Sequence, residues 1–305
     1  MTGAVSGGKS NQEFKEVEYG PRHIEIPADW EFARLGDDEY SRWMTQGPNP
    51  DYSKGARVDE YRALKTKDLY DDGIKYESAD RISQETFENR SKYELEDDDV
   101  LVAIVGRGSI GKAHIFEEQE DSRYIFTRAI GVVRPNSANL VPLYLHHYFQ
   151  SHDAKEHFLQ SITGSTGQEV LRVSAIKTMG IPLPSITEQR RIADILSTVD
   201  EQIRQTEEII EATEELRVGL RQEFFHEGYF DHETEERGTF GQMPVGWEVK
   251  SLDEVADVTM GSSPKSEYYN DSGDGLPFFQ ANNEFGYRNP KHDRWCSEPK
   301  KIAEE

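Results

Sequence analysis

The sequence predicts an α+β chain: a mixed α/β domain with a twisted sheet, then one long coiled-coil helix, then part of a second, related domain. Three observations predict it. Residues 185–226 carry a heptad seam, residues 61–133 read mostly as strands, and a Pro-x-x-Trp-Glu pattern at Pro27 returns at Pro244. The expected divisions are a disordered tail over 1–22, the first domain over 23–184, the helix over 185–226, a linker over 227–243 and an incomplete second domain over 244–305.

The helix is the most regular stretch. Apolar and small residues fall at Ile192, Leu196, Val199, Ile203, Thr206, Ile210, Thr213, Leu220 and Phe224, in alternating steps of four and three interrupted only by Arg217. That spacing is a coiled-coil seam. Ser185 with Glu188 supplies a capping-box start, and Gly228 stands where such a helix should stop. About forty residues at 1.5 Å each make a rod of roughly 60 Å. A stripe this narrow cannot be buried by the rod alone, so it calls for a partner helix, and no second helix of that length is legible in the chain.

Taken in order, the chain opens on a polar, glycine-rich segment with no hydrophobic core of a signal peptide. Pro27 to Glu31 leads into Phe32, Leu35 and a turn-rich segment from Thr45 to Pro50. Val100 to Val105 is a continuous aliphatic run suited to a buried strand, and Tyr124–Phe126 and Ala129–Val133 give two more. The period then changes: Leu140 to Phe158 reads as one amphipathic helix entered through Pro142. Gly164 to Gly167 is a loop and Val170 to Ile181 a short closing element. Pro244, Trp247 and Glu248 then repeat Pro27, Trp30 and Glu31, Leu252 matches Leu35 at the same offset, and Met260 to Pro264 resembles Met44 to Pro48.

Composition bounds the function less than it first suggests. A formal charge of −23 argues against nucleic acid when taken alone, because phosphates repel an acidic surface. The acidity is spread along the chain, however, and arginine outnumbers lysine, as on a halophile's solvated surface. Local clusters therefore decide. The single cysteine, Cys296, excludes a disulfide framework and fits a reducing cytoplasm. No apolar run approaches the roughly 18 residues of a membrane span.

Gly106-Arg107-Gly108-Ser109-Ile110-Gly111 follows a strand and matches the dinucleotide fingerprint, which would make the chain a nucleotide-dependent oxidoreductase. The fingerprint needs a helix opening at its third glycine. Lys112 to Phe116 alternates like a strand instead, so a hairpin presenting Arg107 and Lys112 is the stronger reading, beside a plain turn with solvated charges. The nine histidines lack metal-ligand spacing, and no nucleophile elbow, P-loop or amino-methyltransferase motif is present. No catalytic residue is expected. Three basic clusters remain as candidate DNA contacts: Lys54, Arg57, Arg62, Lys65 and Lys67, opposed only by Asp59 and Glu60; Arg107 and Lys112 on the glycine turn; and Arg172 and Lys177.

The stretch from Leu183 to Leu196, with Pro184, Glu188-Gln189, Ile192-Ala193 and Leu196, resembles the helix start of the specificity (S) subunits of type I restriction-modification systems. The segment from Gly164 to Leu171 and the entry at Pro244, Trp247 and Glu248 with Gly261 to Pro264 share in the resemblance. It implies two target recognition domains, each reading half of a split site in double-stranded DNA, spaced by antiparallel coiled-coil helices. It also implies a non-catalytic chain that binds no cofactor itself and docks methyltransferase (M) subunits, which use S-adenosylmethionine, and restriction (R) subunits, which use ATP and Mg. Here the second copy stops at Glu305, where Ile302 to Glu305 matches Tyr93 to Glu96. Truncation is the expected reading; half-subunits that self-associate through 185–226 are the alternative, and a coiled-coil scaffold without DNA binding is a third.

Overall fold

The computed structural model describes residues 13–19, 22–53, 55–106, 108–164, 169–229, 232–258, 260–279 and 292–300. The chain divides into two compact units, residues 1–214 and 215–305.

The first unit begins earlier than the sequence suggests. β1 (Phe14–Tyr19) and β2 (Arg22–Pro27) form an antiparallel hairpin. The tail expected at 1–22 is thus ordered from Phe14, and residues 1–12 lie outside the described residues. Tyr19 is the reason: its ring packs on Phe32 and His157 in the core, and its hydroxyl lies 3.2 Å from that of Tyr148. With Ile26 buried and Ile24 half-buried against the same core, it anchors a hairpin whose other residues are mostly polar.

β3 (Glu31–Arg34) pairs with the last strand of the unit, and β4 (Ser41–Gln46) and β5 (Val58–Leu64) enter two different sheets. A small hairpin, β6 (Leu69–Tyr70) and β7 (Gly73–Ile74), precedes β8 (Asp80–Ile82), which lies antiparallel to β5. Ser83 then caps the short α1 (Gln84–Glu88) by accepting from the Thr86 amide at 3.2 Å. β9 (Val100–Ala103), β10 (Ala113–Ile115), β11 (Arg123–Phe126) and β12 (Ile130–Pro135) complete an antiparallel sheet ordered β10-β9-β12-β4 and a second sheet ordered β11-β5-β8, in which β11 runs parallel to β5.

β9 is aliphatic at every position because both its faces are covered. Val100 and Val102 join Leu145, Phe149 and Phe158 on the helical side, whereas Leu101 and Ala103 join Leu64, Phe116, Tyr124 and Phe126 toward the second sheet. Beside it, Arg134 donates to both oxygens of the fully buried Asp99, at 2.8 and 2.7 Å, and to the Glu94 carbonyl at 3.0 Å. The bidentate geometry satisfies a carboxylate that burial would otherwise penalise.

The single helix expected over 140–158 is two, α2 (Pro142–Gln150) and α3 (His152–Ser161). Ser151 between them is extended and caps the second by accepting from the Ala154 amide at 3.3 Å. α2 carries His146 inward beside His114, and burial, reinforced by His147 and His114, pushes the His146 imidazole down to about 4. The strand pair β13 (Ile162–Thr163) and β14 (Val170–Leu171), then α4 (Val173–Thr178) and β15 (Gly180–Leu183), close the unit before the rod, α5 (Ile186–His226).

The start of α5 is held by a buried amide. Gln189, 1% exposed, accepts from the Val141 amide at 2.9 Å and donates to the carbonyls of Asn139 at 3.1 Å and Pro184 at 3.0 Å. Ser185 Oγ accepts from the Glu188 amide at 3.3 Å, and the hydroxyls of Tyr144 and Tyr148 donate to Pro182 and Gly180, each at 2.7 Å. Gln189 and Ala193 are the buried residues of α5; Leu196, Val199, Ile203 and Ile210 of its seam are exposed. Gly228, at φ +80°, follows its end as a left-handed terminator.

In residues 215–305, the stretch expected as a linker contains a hairpin, β16 (Thr234–Glu236) with β17 (Gln242–Pro244). After α6 (Leu252–Val255), β18 (Tyr269–Asn270), β19 (Leu276–Phe278) and β20 (Arg294–Cys296) form a small sheet with β20 in the centre and Cys296 buried. The two leucines that the sequence pattern pairs differ in packing: Leu35 is fully buried, whereas Leu252 is 65% exposed. Ile302 to Glu305 lie outside the described residues.

Replacing Gln189 by alanine should remove the partner of three backbone groups, one of them in a fully buried bond, costing about 1–3 kcal/mol. Thermal denaturation should show this as a Tm several degrees lower, while Gln205→Ala on the exposed face should not move it.

Candidate nucleic-acid interface

The strand directions bring a set of loops to one end of the first unit. Leu64 and Phe126 end β5 and β11 side by side, and Ile130 opens β12 opposite Ala103 of β9, with Gln46 of β4 opposite Gly131. The segments after β4, β5, β9 and β11 therefore emerge together. β14 joins them, because Leu171 donates to the Ile104 carbonyl at 2.8 Å and Val105 bridges Val170. Of the described cations, Lys65, Lys112 and Arg172, one from each basic cluster, thus stand next to one end of the fold.

The glycine turn is a hairpin. Ala113–Ile115 pairs antiparallel with β9, and no helix opens at Gly111, which removes the geometry on which the oxidoreductase reading rested. Among the described residues no group of three or more His, Cys, Asp or Glu side chains is placed to hold a metal ion, and no helix is long and apolar enough to cross a membrane.

Individual cations fare differently. Arg62 faces inward to structure: it pairs with Asp59 at 3.1 Å and donates to the carbonyls of Asp59, Glu77 and Ala79. Lys65 and Lys67 both pair with Asp80, the latter at 3.2 Å. Burial alone would raise the Asp80 carboxyl, but hydrogen bonds from the two lysines outweigh it and hold it below its ordinary value. Lys112 pairs with Asp71 at 2.7 Å, and its hydrogen bond and charge lower the Asp71 carboxyl. Arg57 donates to the Tyr52 carbonyl at 3.3 Å and stands 5.5 Å from the centre of the Tyr52 ring. Arg172, the N-cap residue of α4, is exposed. Lys177, at the far end of α4, lies instead beside Gly36, whose amide donates to its carbonyl at 2.9 Å. Lys54 and Arg107 lie outside the described residues.

One cation was not legible in the sequence. Arg128 stands alone between Thr127 and Ala129, in no basic cluster, yet its turn lies at the middle of the loop end. With Asn49, Pro50, Tyr52, Lys65 and Thr127 it lines a cleft of about 370 Å³. Gly47 makes this contact possible: a Cβ there would lie 2.4 Å from the Thr127 carbonyl oxygen and 2.5 Å from that of Phe126. Gly47→Ala should therefore force backbone apart, at about 1–3 kcal/mol. The matching control, Gly261→Ala, meets nothing within 4 Å and should leave the melting curve unchanged.

The chain's relatives agree with this architecture. Residues 27–215 match the family model described as type I restriction modification DNA specificity domain. The putative type I restriction enzyme MjaX specificity subunit of Methanocaldococcus jannaschii is 28% identical over 299 residues, covering 96% of this chain and 68% of that protein. The MjaVIII specificity subunit of the same organism is 27% identical over 263 residues, 86% of this chain and 57% of that one. The EcoBI specificity subunit of Escherichia coli is 28% identical over 200 residues, 63% of this chain and 40% of the relative. The chain thus spans only part of each relative's length. A chain from a solved type I R-M system, studied for its complex assembly and conformational transition, shares the fold with a TM-score of 0.54 at 24% identity, covering 92% of this chain and 68% of that one. The match over most of the first unit and the head of the rod, on the residues that build the sheets, the loop end and the Gln189 clamp, makes the chain a member of the type I restriction modification DNA specificity domain family.

Proposed function

We propose that the chain is the non-catalytic specificity subunit of a type I restriction-modification complex, and that the loop end of its first unit reads double-stranded DNA. The observation that carries this is the convergence of loops bearing Arg57, Lys65, Lys67, Lys112, Arg128 and Arg172 at one end of the unit that the family model spans. Base-edge contacts need side chains presented on fixed backbone, and phosphate contacts need cations around them; these loops offer both. Arg62 and Lys177 are support, and Lys54 and Arg107 complete the expected set.

In this reading the rod sets the distance between two readers of a split site. Its exposed seam calls for a helix of like pattern, which a second copy of the rod would supply through residues 185–226. Residues 244–305, which open on the pattern that also opens the first reader, belong to the second reader in this proposal. M subunits, carrying S-adenosylmethionine, and R subunits, using ATP and Mg, dock on this framework in the cytoplasm. The diffuse negative charge suits a halophile, where salt screens self-repulsion.

Co-expression with the methyltransferase subunit, followed by genome-wide mapping of methylated bases, should return one bipartite motif. Binding of the purified chain to duplex DNA should weaken with salt at a log–log slope of roughly −0.9 per phosphate contact. Absence of any motif and of binding at every salt concentration would reduce the chain to a scaffold. For the rod, sedimentation should show self-association that the pair Ile203→Glu and Ile210→Glu abolishes; a wild-type monomer at high concentration would remove the pairing of two copies.

A further inference from the structure

We propose that Arg128 is the principal specificity-determining residue of the loop end, reading the guanine of a G·C pair from the major groove. The inference rests on the DNA-reading function proposed above and concerns a residue that no basic cluster in the sequence marks. Four of the neighbouring cations are already committed: Arg62 to Asp59, Lys65 and Lys67 to Asp80, and Lys112 to Asp71. Arg128 is exposed and its guanidinium has no partner among the described residues. The carboxylate of Asp80, in the same region, is saturated by its two lysines and leaves the arginine fork open.

Its backbone, by contrast, is held from several directions. Ile130 donates to the Thr127 carbonyl at 2.9 Å, closing a four-residue turn with Arg128 at its second position. The Arg128 carbonyl accepts from Gln46 Nε2 at 2.6 Å, the Ala129 carbonyl from the Ile104 amide at 2.9 Å, and the Thr127 amide donates to Leu64 at 3.0 Å. A free guanidinium on an immobilised turn is what base readout requires, because the ordering of the backbone is settled before binding. The planar fork matches guanine O6 and N7 together, a pairing that discriminates among all four base pairs in the major groove. Arg172, another exposed arginine among the described residues, is the N-cap residue of the six-residue α4 at the margin of the loop end.

The test compares the full chain with Arg128→Ala and Arg128→Lys by selection from a random duplex library and by salt titration on the selected site. Arg128→Ala should melt like the wild type and keep its affinity for unrelated DNA, but lose preference at a single G·C position by about 5- to 150-fold. Arg128→Lys should lose part of that preference. An equal loss on every sequence with a shallower salt slope would mark a phosphate contact and overturn the assignment. A wild-type motif that survives Arg128→Ala unchanged would overturn the assignment alone, and a wild-type chain with no preferred sequence would overturn the DNA-reading function with it.

Discussion

The carboxamide of Gln189 is the constraint on which the arrangement of the first unit depends. Three segments meet at it: the loop into α2 through Asn139 and Val141, the end of the domain through Pro184, and the first turn of the rod to which Gln189 itself belongs. The carboxamide is 1% exposed, so these bonds form away from bulk water, where a lost partner is costly. The tyrosines of α2 extend the same logic to β15, since Tyr144 and Tyr148 tie Pro182 and Gly180 to the helix above them. The direction in which the rod leaves the domain is thus set by directional bonds. Apolar packing alone, with only Ala193 of the rod buried in the core, would leave it less defined.

Charge works on two scales in this molecule. Across the chain, an excess of carboxylates gives −23, which by itself would repel DNA. Carboxylates take up several of the cations that would otherwise project freely: Asp80 and Asp71 hold Lys67 and Lys112, and Asp59, toward the start of β5, holds Arg62 and Arg81. Among the described residues, the remaining open positive groups are few. A surface of that kind gains little from indiscriminate phosphate attraction and depends correspondingly more on fitted contacts. An acidic protein that reads DNA is consistent on these terms, because affinity for any sequence and preference for one sequence come from different groups.

Much of the fold was legible as pattern. The seam from Ile192 to Phe224 predicts α5 nearly residue for residue, since a heptad repeat is a local property of one helix. The run at Val100 reads as a buried strand because both faces of β9 are covered, and the alternation after Gly111 distinguishes a hairpin from a nucleotide site. Less legible were features set by a single residue's surroundings. The β1–β2 hairpin is held by Tyr19 and Ile26, and the break between α2 and α3 turns on the extended Ser151. The basic clusters are legible as charge alone, and nothing local shows that Arg62 turns inward while Arg57 lies along Tyr52.

The sequence by itself determined the period of the rod, the buried strand at Val100 and the hairpin after Gly111, because each is written in the spacing of neighbouring residues. Only the tertiary structure decided which loops share an end and which cations remain open there. Those properties depend on contacts between residues far apart in the chain, such as Gly47 against Thr127, Ile104 between Ala129 and Leu171, and Asp80 between Lys65 and Lys67. Arg128 is the clearest case: alone in sequence, it gains its position from the strands that end around it.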